Sequence, residues 1–244
     1  MTGASAGLGI DDHGVFGHCS SSSSMSLDVS TSAERWAILA AMLNVLLILG
    51  GYLMGSVPTG FLAGRAWGVD VRRVGSGNIG MANVLRAAGK WPAVITLIGD
   101  MLKGFVPVLA ARLLTENEWV VAVVALAAVL GHCWPVFLKF KGGKAVATGA
   151  GTTIALAPVV GLVLFAVWWG IVLVTRYTSL GAIITMTAGP VAFLLTGQPW
   201  PYVLYTLVGS SLVIWRHRNN ARALLKGTER KIGEKAREGN ARAG

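Results

Sequence analysis

Two glycine-rich turns carry most of the residues in this 244-residue chain that could do chemistry. The first is Gly75-Ser76-Gly77-Asn78-Ile79-Gly80, read on to Arg86, and the second is Lys141-Gly142-Gly143-Lys144. Glycine frees the backbone to take positive φ, and successive N–H groups in such a turn form an anion-binding nest. Ser76 and Asn78 add short polar side chains, and Arg86 adds a planar fork of donors matched to phosphate. The second turn runs into an apolar stretch from Ala145, so a helix N-terminus with unpaired N–H groups would face the same anion as Lys144. The spacing is not that of a nucleotide-hydrolysing loop. Leu138 stands where that motif needs its first glycine and Ala145 where it needs Ser or Thr. For the first turn the competing reading is a plain interhelical connection. For the second it is a pair of lysines kept on the inner side of a membrane.

Other polar residues sit in apolar surroundings. Asp100 and Lys103 share one helical face at i, i+3; ionised groups at such depth are costly and are either paired or functional. His132, just before Cys133-Trp134-Pro135, reads first as a packing hydrogen-bond donor. Toward the C-terminus, Arg216-His217-Arg218-Asn219-Asn220 precedes Gly227-Thr228-Glu229. Topology alone accounts for Arg216 and Arg218, but not for His217 and Asn220. His217 titrates near neutrality by default and suits a general base or a phosphate ligand.

The elements that must position these groups are membrane spans. The chain is 54% hydrophobic and 13% charged, and apolar runs cover residues 36–64, 119–138, 145–175 and 177–215. A span needs about 20 apolar residues, and a soluble fold of this length could not hide so much apolar surface. The basic residues cluster at 65–90, at 139–144, at Arg176 and through 216–242. The positive-inside rule puts all of them in the cytoplasm. One topology manages it: 36–64 in, 91–111 out, 119–138 in, a hairpin over 145–175 bent near Ala157-Pro158, 177–196 out and 202–215 back. The sequence therefore predicts an all-α integral membrane protein of about seven transmembrane helices, N-terminus outside and C-terminus cytoplasmic. Each hairpin arm would reach only about 22 Å at 1.5 Å per residue, tolerable where protein buries the ends. Both glycine turns, Arg176 and His217 then share the cytoplasmic face. The net charge of +10 is explained by orientation and anionic lipid, without a nucleic-acid partner.

Three regions follow: a polar, disordered tail over 1–32, a membrane domain over 33–232 and a basic cytoplasmic tail over 233–244. The first is not a signal peptide, since it has neither a basic start nor an apolar core. Cys19 and Cys133 are the two cysteines, which implies neither a disulfide framework nor a metal cluster.

The combination of motifs resembles the bacterial acyl-phosphate:glycerol-3-phosphate acyltransferases of the PlsY type. Ser56-Val57-Pro58-Thr59-Gly60, Asp70-Val71-Arg72 and residues 75–86 are similar to that family's first motif. Gly131-His132, Pro135, Phe137-Leu138 and Phe140-Lys141-Gly142-Gly143-Lys144 through Thr148 are similar to the second. Thr175-Arg176-Tyr177-Thr178-Ser179-Leu180, His217-Arg218, Asn220 and Gly227-Thr228-Glu229 are similar to the third. The resemblance runs over residues 50–232. It implies a seven-helix fold in a bacterial inner membrane with a cytoplasm-facing site. The implied reaction moves an acyl group from acyl phosphate to the 1-hydroxyl of glycerol 3-phosphate, giving lysophosphatidic acid and phosphate. No cofactor, metal, acyl-CoA or acyl-carrier protein is implied.

Carried over by position, the catalytic set is Ser76, Asn78, Arg86, His217 and Asn220. The substrate-binding set is Gly75, Gly77, Lys141, Gly142, Gly143, Lys144, Ser179 and Glu229, to which Lys103 is added from its own place beside Asp100 on a helical face. The proton acceptor is open between a substrate phosphate and His217. The chain departs from the family pattern at Met81 and Ala82, at Ala145 where the family has glycine, and at Ala223 where it has arginine. Two rival readings remain: a membrane carrier of phosphate esters, against which stands the lack of an internal repeat, and an inactive paralogue, which the departures favour.

Overall fold

The computed structural model describes residues 25–234, and their regular structure is entirely helical. The helices are α1 (Met25–Gly55), α2 (Thr59–Ala66), α3 (Met81–Ala88), α4 (Lys90–Leu114), α5 (Glu118–Cys133), α6 (Val146–Leu156), α7 (Pro158–Thr175), α8 (Thr178–Leu195), α9 (Trp200–Arg216) and α10 (Arg218–Leu225). A 3-10 turn at Val136–Leu138 lies between α5 and α6. The chain divides after Ala41, and Met42 onward is the compact unit that holds the site.

Among the described residues, five segments are long and apolar enough to cross a membrane: Thr31–Ala66, Lys90–Leu114, Glu118–Leu138, Pro158–Thr175 and Thr178–Leu195. Helix α9 has 17 residues and α6 has 11. The all-α membrane class expected from the sequence holds.

Residues 36–64 lie within one apolar segment, Thr31–Ala66, and the chain breaks inside it at Ser56-Val57-Pro58 between α1 and α2. Pro58 offers no N–H, and the residue before a proline avoids helical geometry. The freed backbone is bonded again: Ser56 Oγ donates to Tyr52 O at 2.8 Å, and Lys103 Nζ donates to Val57 O at 2.8 Å. Residues 25–32, expected in the polar tail, instead begin α1. Extending a helix adds one bond per residue fixed and is far easier than nucleating one, so the apolar span carries its polar flank along. The rest of the 1–32 tail, and residues 235–244, lie outside the described residues.

The turn at Ala157-Pro158 is where the sequence places it. Ala157 (φ −140°, ψ 88°) ends α6 and caps α7, with Pro158 in the first turn. Between helices the contacts are small-residue contacts, as lipid solvent favours. A Cβ on Gly104 of α4 would lie 2.2 Å from Thr148 O of α6, and one on Gly151 of α6 would lie 2.0 Å from Met101 O. Only glycine permits this approach, and it draws α6, with the lysine turn at its head, onto α4. Val108, Val124, Val129, Phe193, Tyr205 and Val213 fill the core between α4, α5, α8 and α9.

Candidate active site

The first glycine turn is wrapped around one side chain. Asn83, in the first turn of α3, is buried. Its Oδ1 accepts from Ser76 N at 2.9 Å, while its Nδ2 lies 2.9, 3.1 and 2.8 Å from the carbonyls of Val71, Val74 and Asn78. Gly75 and Gly77 hold φ of 65° and 70°. The Asp70–Arg72 pair, at 2.9 and 2.8 Å, ties down the chain before the turn, and the Arg72 guanidinium holds the Asp70 carboxyl down to about 2.

The lysine turn is held from both sides. Gly143 N donates to His132 O at 3.1 Å, and a Cβ on Gly143 would sit 2.2 Å from His132 Nε2. The His132 ring is fixed in turn: Nδ1 lies 3.0 Å from Thr148 Oγ1 and 3.7 Å from Asp100 Oδ1. From the other side Arg216 donates to Gly143 O at 3.1 and 2.7 Å and to Gly142 O at 3.1 Å. Lys139, Phe140 and Ala145 in this stretch all have left-handed φ without being glycine. Such conformers cost about 1–3 kcal/mol each and persist only where their surroundings over-determine them. Here Phe140 N donates to Pro135 O at 2.9 Å and Gly149 N donates to Ala145 O at 2.7 Å, while His132 and Arg216 hold the two glycines between them.

The third group comes from α8, α10 and the segment beyond it. Ser179 Oγ donates to Glu229 Oε1 at 2.6 Å, and Asn220 Nδ2 donates to the same oxygen at 2.7 Å. Lys144 Nζ donates to Asn220 Oδ1. His217 Nδ1 donates to Val213 O at 2.8 Å, so Nε2 is left with the lone pair. Burial, then the Lys144 and Arg216 charges, pull His217 down to about 4 against the raising effect of the Val213 bond. Burial likewise pulls Lys144 down to about 8, with Arg216 and Arg86 pushing the same way and Glu229 opposing.

All three groups open into one cavity of about 670 Å³. Its polar end is lined by Ser76, Gly77, Asn78, Arg86, Gly142, Lys144, Ser179, His217, Asn220 and Glu229. Its walls continue into Met81, Leu164, Phe165, Trp168 and Met186. Arg86 enters from the last turn of α3, and its Nε is buried with no partner among the described residues. Burial, followed by the nearby Arg230 charge, pushes its pKa down. A cation- and amide-bearing end thus runs directly into an apolar slot.

A family model described as glycerol-3-phosphate acyltransferase matches residues 45–227. The chain belongs to that family. A glycerol-3-phosphate acyltransferase of Rubrobacter xylanophilus is 69% identical over 192 residues, covering 79% of this chain and 96% of the relative. One from Thermus thermophilus is 46% identical over 192 residues, covering 78% and 95%. Among solved structures, PlsY, an integral membrane glycerol 3-phosphate acyltransferase, is similar in its glycerol 3-phosphate form. The TM-score is 0.75 at 42% identity, covering 78% of this chain and 96% of that one. Its lysophosphatidic acid form gives 0.73 at 41%. The PlsY-type resemblance carried by the three motifs therefore holds, and the chain is an integral membrane protein of that family.

Most of the site residues expected from the sequence meet in the cavity, but four do not line it. Gly75 and Gly143 stand one residue behind the lining, as backbone of their turns. Lys103 is buried and pairs its ammonium with Asp100 at 2.8 Å and with Val57 O. Lys141 is exposed and lines a neighbouring cleft with Arg72, Phe140 and Arg216.

Three residues escaped the sequence reading of this family member. Arg216, read there as a topology signal, is the clamp on the lysine turn. His132, read as a helix-packing donor, is the platform beneath that turn. Asn83 organises the first turn, and its only sequence signal is an amide placed inside the first turn of the helix that follows. The departures also fall at the site. Met81, Ala82 and Ala223 line the cavity, and Ala145 sits at φ 59° and caps α6.

Proposed function

We propose that the chain catalyses acyl transfer from acyl phosphate to the 1-hydroxyl of glycerol 3-phosphate, giving lysophosphatidic acid and inorganic phosphate. The observation that carries the reading is the cavity in which two glycine turns and a third polar group from α8 and α10 open onto an apolar slot. Two phosphorylated substrates, one with a fatty chain, need that combination. The relatives' names supply the glycerol 3-phosphate half of the reading, and the acyl-phosphate donor rests on the motif resemblance.

In the proposed step the glycerol hydroxyl oxygen bonds to the acyl carbonyl carbon, and the bond from that carbon to the phosphate oxygen breaks. The phosphate leaves with the electron pair. Arg86, Lys144 and the N–H groups of the glycine turns offset the charge growing on the leaving oxygens. Holding both substrates in register supplies much of the remaining rate. The hydroxyl proton has two acceptors in this reading, a substrate phosphate oxygen and His217 Nε2, which keeps its lone pair because Nδ1 donates to Val213 O. Ser76, Asn78 and Asn220 are the remaining polar contacts, and Ser179 and Glu229 hold Asn220 in place.

The basic clusters support seven crossings, formed by the α1–α2 segment, α4, α5, the two arms α6 and α7, α8 and α9. The N-terminus is outside and the site faces the cytoplasm of a bacterial cell membrane. The test is direct. Purified protein in detergent, given acyl phosphate and radiolabelled glycerol 3-phosphate, is expected to form labelled lysophosphatidic acid, while acyl-CoA or acyl-carrier protein as donor yields none. Absence of product with acyl phosphate refutes the activity, and product from acyl-CoA alone refutes the donor.

A further inference from the structure

We infer that Arg230 is a substrate-phosphate ligand, a second guanidinium that works beside Arg86 and is presented by a fastened C-terminal segment. The inference rests on the acyl-transfer reading for the source of the phosphate, and on geometry for the residue.

Arg230 lines the polar end of the cavity. It reaches over the first glycine turn, where a Cβ on Gly75 would lie 3.9 Å from its Nη1. It faces Arg86 closely enough for the two charges to oppose each other. Arg230 makes no ion pair or hydrogen bond among the described residues. The nearest carboxylate in sequence, Glu229, directs Oε1 at Ser179 and Asn220 instead. Two like charges converging on one cavity wall, one of them with a buried unpartnered Nε, describe a place built for an anion. Guanidinium forks suit phosphate because each presents two parallel donors.

Nothing in local topology requires Arg230 to point there, but its neighbours hold it in place. On one side Glu229 is bonded to Ser179 and Asn220. On the other, Ile232 N donates to Arg176 O at 2.7 Å, and Arg176 Nη2 returns a bond to Ile232 O at 3.0 Å. Ile232 also packs on the Trp168, Val172 and Ala182 cluster, and the Lys231 ammonium sits 5.6 Å over the Tyr177 ring. Arg230 is thus the free residue between two anchors. Its own side chain is exposed at the cavity mouth, so replacing it removes a charge and leaves the core intact.

The experiment compares wild type, Arg230→Gln and Arg230→Lys in steady-state turnover, varying glycerol 3-phosphate and acyl phosphate separately. Binding of inorganic phosphate is followed by calorimetry on the same samples. Arg230→Gln is expected to raise KM for one of the two substrates by about tenfold, which is about 1.4 kcal/mol, with kcat within about twofold. Whichever KM moves identifies whose phosphate Arg230 holds. Arg230→Lys keeps the charge and loses the fork, and is expected to recover part of the loss. A wild-type enzyme that turns over, with both KM values and phosphate affinity unmoved in Arg230→Gln, overturns the inference and leaves the acyl-transfer reading standing. An inactive wild type that still binds phosphate in an Arg230-dependent way does the reverse.

Discussion

Binding of a substrate phosphate beside Lys144 is expected to take up a proton near pH 8. Burial, with Arg216 and Arg86 close by, holds the free ammonium down to about 8. A phosphate dianion arriving against it restores the charged form and moves it back toward the ordinary lysine value of about 10.4. At pH 7 the free side chain is already about nine-tenths protonated, so uptake is only about 0.1 proton. At pH 8 it is about 0.5, and at pH 9 about 0.9. Because the lysine must be charged to bind, affinity falls as pH rises through the free-state value. Between pH 8 and pH 9 the loss is about fivefold. The glycerol 3-phosphate monoester has a second pKa of about 6, so at these pH values it contributes almost no proton of its own. Calorimetry of glycerol 3-phosphate binding at pH 8, in two buffers of different ionisation enthalpy, reads the uptake directly. Lys144→Arg keeps a cation that does not titrate, so binding persists while the buffer dependence disappears. Identical heats in the two buffers for wild type would refute the reasoning, since the ammonium would then be fully charged before ligand arrives.

Three further outcomes are expected. Asn83→Ala removes the partner of Ser76 N and of three carbonyls; it should cost about 1–3 kcal/mol of thermal stability and more than tenfold in turnover, and wild-type turnover would show that the first turn holds its shape unaided. Ala145→Gly relieves a left-handed conformer worth about 1–2 kcal/mol, less the entropy glycine loses on folding; a melting temperature equal to or a few degrees above wild type is expected, and a clear drop would mean the Ala145 methyl packs more than it strains. Of the two lysines in the second turn, Lys141→Ala should leave KM within about twofold while Lys144→Ala raises it at least about tenfold, and equal effects in the kinetic assay would put Lys141 in the cavity after all.

Much of the fold follows from one-dimensional properties. Apolar run length and the placement of basic residues predict which segments enter a membrane, because burying a charge in hydrocarbon costs more than any local preference recovers. Proline marks the turn at Ala157-Pro158 for the same local reason. It also marks the break before Thr59, yet the uninterrupted hydropathy of residues 36–64 conceals that break. Hydropathy averages over side chains and does not register a missing N–H. The two glycine turns were legible as elements of one site because glycine, Ser, Asn, Arg and Lys cluster there between apolar runs.

What composition and motif order determined on their own was a helical membrane protein with two glycine turns beside its spans. Tertiary structure alone decided the division of labour among like residues. Lys103, Lys141 and Lys144 are the same residue type, and a sequence gives each the same charge. Packing buries the first against Asp100 and Val57 O, leaves the second outside and aims the third at Asn220 in the cavity. Arg86, Arg216 and Arg230 divide in the same way among buried cavity lining, loop clamp and cavity mouth. The reason is that a side chain's role depends on which partners lie within about 3 Å of its donors, and those partners come from residues as much as 76 positions away.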